Sequence, residues 1–203
     1  MVSRQFYRKR RDTKSFVRRG NFRYPKKRIL IVCEGARTGP YYFKGFKITS
    51  VQVNIRGKGM NTDSLVEEAI RLNREAEKEK VPYDSVWCVF DRNSFPLQNF
   101  TRAFQIAENH NIKVAYSNEA FELWYLLHFH YYDAALSRSQ YKGRLSRLLG
   151  KKYEKNSKTM YDDLLDKQQD AIKNAEKLLK KHFRKENPST TVHLLVEELN
   201  QYV

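Results

Sequence analysis

Two acidic residues, Glu34 and Asp91, stand at the carboxyl ends of two short hydrophobic runs. The first run, Arg28-Ile-Leu-Ile-Val-Cys, breaks at Glu34-Gly35, and the second, Ser85-Val-Trp-Cys-Val-Phe, breaks at Asp91. Unbroken apolar runs of this length are typical of strands buried on both faces of a parallel sheet. Because ligands gather outside the carboxyl ends of such strands, we expect the two acids to converge on one crevice. Two carboxylates placed there are unfavourable unless a metal ion, another cation or a proton compensates their charge.

A third acid, Glu122, lies inside the strongly apolar stretch that runs from Phe121 to Leu127. We predict a helix here, capped by Ser117 or Asn118, with Glu119 and Glu122 in its first turn. Glu119 is best interpreted as a partner of the helix dipole. Glu122 is surrounded by apolar residues, so we expect it to have a specific partner.

The elements that must position these acids alternate between strand and helix, which favours an α/β sheet. We predict further strands at 51–55 and 112–116, and helices at 62–80 and 100–109. Beyond residue 131 the pattern predicts basic helices at roughly 134–149 and 158–183, then a short helix capped by Asn187-Pro-Ser-Thr-Thr191. The economical division is a basic arm, residues 1–27, and one domain, residues 28–203, with a helical extension from about 131.

The net charge of +16 and the isoelectric point near 9.8 indicate a polyanionic partner. Nucleic acid is the usual one, an anionic membrane is the rival, and a generally basic composition is the alternative without function. Residues 1–28 carry twelve Lys or Arg against one Asp, interleaved with aromatic residues that could stack on bases. A solvated tail is the other interpretation. The candidate nucleic-acid contacts are Arg8, Lys9, Arg10, Arg11, Arg18, Arg19, Arg37 and Arg92.

Some classes of protein are disfavoured by the sequence. No run of about 18 apolar residues predicts a membrane-spanning helix, and the N-terminus does not resemble a secretory signal. The two cysteines, Cys33 and Cys88, fall inside the predicted strands. We expect buried, reduced thiols in a cytoplasmic protein rather than a disulfide.

A strand ending in Glu-Gly and a later strand ending in Asp-X-Asp are the signatures of the Toprim domain, and this chain has Glu34-Gly35 and Asp91-Arg-Asn93. With Ser117-Asn-Glu-Ala-Phe-Glu-Leu-Trp124 and Asn187-Pro-Ser-Thr-Thr191, the chain resembles the RloB-like family from about residue 28 to its C-terminus. The resemblance implies a Toprim-like (Rossmann-like), mostly parallel sheet flanked by helices, with a helical C-terminal part. It also implies a bacterial protein of anti-phage or restriction-associated loci, beside an ATPase partner.

Carried over by position, Glu34 matches the Toprim glutamate, a general acid/base or metal ligand. Asp91 matches the first acid of the Asp-X-Asp pair, and Asn93 stands where the second acid is expected. An amide oxygen can bind Mg²⁺ but brings no charge. Gly39 also departs from the family, whose members tend to have an acid there. Glu122 matches the acid of Phe-Glu-Leu-Trp and could compensate.

The favoured hypothesis is hydrolysis of DNA or RNA phosphodiesters with Mg²⁺ or Mn²⁺ bound by Glu34, Asp91, Asn93 and Glu122. The first alternative is a catalytically weakened scaffold that binds nucleic acid or an ATPase subunit without cleaving. The second keeps the fold but makes the crevice a regulatory nucleotide-binding site.

Overall fold

The structure is a computed structural model, and it describes residues 26–49, 52–57, 62–92, 97–182 and 186–203. Residues 1–25 of the basic arm therefore lie outside the described residues, as does Asn93. None of the helices in the described part of the chain has both the length and the apolar character needed to cross a bilayer.

One mixed sheet organises the described residues. Its strands are β1 (Arg28–Cys33), β2 (Gln52–Gly57), β3 (Ser85–Asp91), β4 (Lys113–Asn118) and β5 (Ser189–Thr190). The spatial order is β2-β1-β3-β4-β5, with β1 to β4 parallel and β5 antiparallel to β4. The predicted α/β class with an open, mostly parallel sheet is confirmed, and the arrangement is consistent with a Rossmann- or Toprim-like fold.

Helices cover both faces of this sheet. Their bounds are α1 (Thr38–Lys44), α2 (Thr62–Lys78), α3 (Leu97–Asn109), α4 (Glu122–Leu127), α5 (Arg138–Leu149), α6 (Met160–Leu164), α7 (Gln168–Lys181) and α8 (Val192–Asn200). Residues of α2 and α3 pack in one apolar cluster, and residues of α1, α4, α7 and α8 pack in the other. The central strands are buried on both sides because alternate residues enter opposite clusters. In β1, for example, Ile29 and Ile31 face one cluster while Leu30 and Val32 face the other.

The order in which the chain adds strands to the sheet determines where the candidate site lies. After β1 the chain adds β2 on one side, and it then returns to add β3 on the other side of β1. The gap between β1 and β3 is thus a topological switch point, where the connections leave in opposite directions and open a crevice at the carboxyl ends of the strands. Glu34 and Asp91 stand at that place.

The region after β4 differs from the predicted capped helix. Ser117 and Asn118 belong to β4, where they pair with Thr190 and Ser189 of β5. The helix α4 begins only at Glu122, with Phe121 at its N-cap position, so Glu119 precedes the helix rather than lying in its first turn. Pairing with β5 keeps Ser117 and Asn118 in the sheet, so neither residue is available as a helix cap.

The basic helices are also shorter than predicted. The helix expected at 134–149 begins at Arg138, capped by Ser137 and Gln140. The helix expected at 158–183 is interrupted by a 3-10 turn, Leu165–Lys167, between α6 and α7. The tighter turn changes which residues face inward, because Leu164 is buried while Leu165 is 46% exposed.

A close contact fixes α1 against α6. A Cβ atom placed on Gly45 would lie 2.2 Å from Cβ of Tyr161, which is far closer than real atoms approach. Only glycine allows the Tyr161 ring to pack there, next to Phe46 at a centroid distance of 4.6 Å. The two cysteines are buried and free, as predicted.

Candidate active site

The two strand-end acids come together. The backbone N–H of Asp91 donates to Oε2 of Glu34 at 3.0 Å, and the N–H of Glu34 donates to the carbonyl of Val89 at 2.8 Å. The second bond continues the β1–β3 ladder, which ends at the Cys33–Val89 pair, and the first adds a side-chain contact just beyond it. The register of two adjacent parallel strands therefore fixes the Glu34 carboxylate against Asp91, the last residue of β3.

Glu122 enters the same crevice from the start of α4. Its side chain is only 4% exposed, and its Oε1 accepts a hydrogen bond from the hydroxyl of Tyr153 at 3.1 Å. The ammonium group of Lys155 lies 3.6 Å from the same oxygen. Burial, followed by the charge of Glu122, raises the pKa of Tyr153 above its ordinary range, so the hydroxyl keeps its proton and donates. The expected specific partners of Glu122 are thus Tyr153 and Lys155.

The loop that carries Tyr153 and Lys155 is held in place by hydrogen bonds. The N–H of Tyr153 donates to Oγ of Ser146 at 2.9 Å, and Oγ1 of Thr38 donates to the carbonyl of Lys155 at 3.2 Å. The first bond ties the loop to α5, and the second ties it to the start of α1. Tyr153 and Lys155 are therefore fixed above the carboxyl edge of the sheet.

The crevice carries more negative charge than its cations neutralise. Burial, and then the charges of Glu122 and Glu34, raise the pKa of Asp91 to about 8, against the opposing effects of Arg138 and Lys155. Burial also raises the pKa of Glu34, against the Asp91 N–H and Arg138. The guanidinium of Arg138 donates to Oδ2 of Asp91 at 3.1 Å, and the Asp91 side chain keeps 21% exposure. A further cation in the crevice would therefore be stabilised.

The donors suit a hard divalent cation, but their present arrangement is not a complete metal site. Carboxylate oxygens are the ligands that Mg²⁺ and Mn²⁺ prefer, and the pKa of Asp91 is raised first by burial and then by the charges of Glu122 and Glu34. Among the described residues, however, no three His, Cys, Asp or Glu side chains are grouped closely enough to hold a metal ion. Arg138 and Lys155 contact two of the acids instead.

The other predicted site residues are placed as follows. Arg92 follows Asp91 directly, is half-buried, and donates its backbone N–H to the carbonyl of Ser117 at 2.9 Å. Arg37 is exposed in the turn after Glu34. The predicted nucleic-acid contacts in the basic arm lie outside the described part of the chain, together with Asn93. They are Arg8, Lys9, Arg10, Arg11, Arg18 and Arg19.

Gly39, where the resemblance predicted an acid, lies in an apolar layer. A Cβ atom on Gly39 would lie 3.6 Å from Sγ of Cys33 and 3.7 Å from the ring of Phe121. These are ordinary van der Waals distances, so the position has room for a small side chain. Its immediate surroundings are nevertheless buried and apolar, which suits glycine better than a carboxylate.

Three residues of the crevice, Arg138, Tyr153 and Lys155, were missed by the sequence analysis. They lie far along the chain from Glu34 and Asp91, in a chain with 39 Lys and Arg residues. A basic side chain among so many carries no signal of its own. The only available signal was Glu122, whose apolar surroundings predicted a partner without identifying it.

The fold and the crevice define an α/β protein with a cluster of acids at the switch point of its parallel sheet. The family described as "RloB-like protein" matches residues 29–199, and the chain belongs to that family. The match covers the sheet, the three acids and the basic helices. No curated protein matches the chain.

Proposed function

We propose that this protein hydrolyses nucleic-acid phosphodiesters with the help of Mg²⁺ or Mn²⁺. The observation that carries the proposal is the convergence of Glu34, Asp91 and Glu122 from three elements, in a crevice where burial, and then the charges of the two glutamates, raise the pKa of Asp91 to about 8. Such a crevice in a chain of net charge +16 combines an acidic centre with a surface that attracts polyanions.

The residues divide into two groups by charge. Glu34, Asp91 and Glu122, with Asn93, would hold the metal ion. When bound, such an ion polarises the phosphoryl group and lowers the pKa of its water. Arg138 and Lys155 lie at the boundary of the acids, where they can bind phosphate oxygens and orient the scissile group.

The family resemblance supports a setting, which we also propose. The protein would act in bacterial defence against phage, beside an ATPase partner. The free, buried Cys33 and Cys88 support a reducing compartment, the cytoplasm.

A cleavage assay tests the activity. Labelled single- and double-stranded DNA and RNA would be incubated with Mn²⁺ or Mg²⁺ and one of three proteins: the wild type, Glu34→Gln or Glu67→Gln. Glu67→Gln is the matched control, because Glu67 is an exposed carboxylate on α2. We expect cleavage by the wild type and the control, and a loss of about 10²- to 10⁴-fold in Glu34→Gln. Equal cleavage by folded Glu34→Gln would refute the proposed role of the crevice.

A binding function without cleavage is the second candidate, and a specific observation favours it. Asp91 and Glu122 are already paired with Arg138 and Lys155, and the described residues contain no complete metal site. In that case nucleic acid or an ATPase subunit would bind the basic surface with the same affinity in chelator and in Mn²⁺. Introducing the expected acid by Asn93→Asp separates the candidates, since it should raise metal affinity only if the crevice binds metal.

A further inference from the structure

A basic pocket of about 450 Å³ opens directly beside the acidic crevice. The start of α5 and the loop at 152–156 form its walls, and Glu122 lies at its buried end. The charged side chains of its lining are Arg138, Lys142, Lys152, Lys155, Glu122 and Glu154. Four cations and two carboxylates leave an excess of two positive charges around a volume typical of small-ligand sites.

The four cations differ in how strongly they are already engaged. Arg138 contacts Asp91 at 3.1 Å, and Lys155 lies 3.6 Å from Glu122. Lys152 pairs with Glu154 at 3.5 Å, but its side chain is 76% exposed, and such pairs contribute little. Lys142 is exposed and makes no ion pair with another described residue. An anion in the pocket can therefore use Lys142 and Lys152 without breaking a buried interaction.

We propose that this pocket binds a phosphate monoester, the terminal phosphate of a nucleic-acid strand or of a free nucleotide. A monoester carries about −1.5 to −2 charges near pH 7, so Lys142 and Lys152, the two cations outside buried pairs, neutralise it better than they would the single charge of an internal phosphodiester. The guanidinium fork of Arg138 suits the bidentate geometry of phosphate oxygens. This inference deepens the proposed function, which it uses only to identify the carrier of the phosphate as a nucleotide or strand.

The position of the pocket links phosphate binding to the acidic crevice, because the two share cations. Arg138 and Lys155 line the pocket and also contact the acids, so a phosphate held by Lys142 and Lys152 would lie beside the two cations that contact Asp91 and Glu122. A strand end held here would place its adjacent linkage near Glu122, the acid of the crevice that lines the pocket. The pocket would therefore favour substrates with a phosphorylated end.

The test compares oligonucleotides of one sequence that carry a phosphate or a hydroxyl group at the 5′ or the 3′ end. Their affinities would be measured by fluorescence anisotropy at constant salt, in chelator. The variants are Lys142→Ala, Lys152→Ala and the matched control Lys173→Ala, which removes the same charge from an exposed position of α7. Circular dichroism would verify that all four proteins are folded.

We expect the wild type and Lys173→Ala to bind one phosphorylated end about tenfold more tightly than the hydroxyl end, as for one or two hydrogen bonds to a charged group. Lys142→Ala should remove most of that preference, and Lys152→Ala a smaller part. Equal affinity of the wild type for both kinds of end would overturn the inference, as would a preference that survives in Lys142→Ala.

Competition identifies the carrier of the phosphate. Displacement of the strand by a mononucleotide at similar concentration would assign the pocket to free nucleotides, whereas displacement only by a phosphorylated strand would assign it to strand ends. Because the chelator removes divalent metal, these results do not depend on cleavage. Failure of the proposed function would appear instead as a protein that keeps its end preference and never cleaves.

Discussion

Replacing Asp91 by asparagine should make the protein more stable at alkaline pH, although the change removes an ion pair with Arg138. Burial and the charges of Glu122 and Glu34 disfavour the ionised form of Asp91 more than Arg138 and Lys155 favour it. Asparagine has the same shape and carries no charge. The Arg138 side chain is 43% exposed, so water can solvate it in the variant.

The size of the effect follows from the pKa of Asp91. A rise from 3.8 to about 8 corresponds to about 5 to 6 kcal/mol, at about 1.4 kcal/mol for each pKa unit. The side chain keeps 21% exposure, and solvent reduces such effects. We therefore expect Asp91→Asn to raise the free energy of unfolding by roughly 1 to 3 kcal/mol above pH 8.

The pH dependence has a definite sign. Because the pKa of Asp91 is raised in the folded state, the folded protein binds more protons than the unfolded chain between about pH 4 and pH 8. The stability of the wild type associated with this group is complete below pH 4 and is lost as the pH rises to 8. The advantage of Asp91→Asn should consequently grow from near zero at pH 4 to its maximum above pH 8.

Urea unfolding followed by tryptophan fluorescence, in chelator at pH 5 and pH 9, measures this difference. Asp133→Asn is the matched control, because hydrogen bonding to Lys181 lowers the pKa of that exposed carboxyl. The control should be slightly less stable than the wild type by the same amount at both pH values. A stability of Asp91→Asn below that of the wild type at pH 9 would show that burial and the neighbouring acids do not disfavour the ionised form of Asp91.

Three further variants test the packing and the crevice, each by urea unfolding. Gly45→Ala should lower the free energy of unfolding by about 1 to 3 kcal/mol, because the added Cβ would overpack against Tyr161. The control Gly143→Ala, on open helix surface, should not lower it. Equal effects of the two variants would contradict the close contact between Gly45 and Tyr161. Tyr153→Phe should lower the free energy of unfolding by about 1 to 3 kcal/mol when Glu122 is present, because it removes the hydrogen bond to a buried carboxylate. The decrease should be much smaller in the Glu122→Gln background. Burial lowers the pKa of His128 to about 4, so the contribution of this residue to stability should fall as the pH drops from 6.5 to 4, opposite in sign to that of Asp91. An unchanged slope in His128→Gln would exclude this contribution.

The parallel core of the sheet could be predicted because burial on both faces leaves a local signal. The runs that became β1 and β3 are apolar at consecutive positions, and they end abruptly at acids. The convergence of Glu34 and Asp91 followed from the rule that parallel strands present their carboxyl ends at one edge. Strand β5 could not be predicted, because two polar residues, Ser189 and Thr190, form a strand only through pairing with β4.

The partners of the acids depend on tertiary structure. Arg138 approaches Asp91, and Tyr153 approaches Glu122, only after the basic helices have folded over the edge of the sheet. Neither residue has a local pattern that distinguishes it. The sequence could therefore predict where negative charge accumulates, but not which cations oppose it.

Calorimetric titration with Mn²⁺ tests the central claim most directly, with wild type, Asp91→Asn and the control Glu67→Gln side by side. The account predicts saturable binding by the wild type and by Glu67→Gln, and none by Asp91→Asn. Absence of binding to the wild type, or binding undiminished in Asp91→Asn, would contradict a metal-dependent crevice and would leave the basic surface as the functional part of the protein.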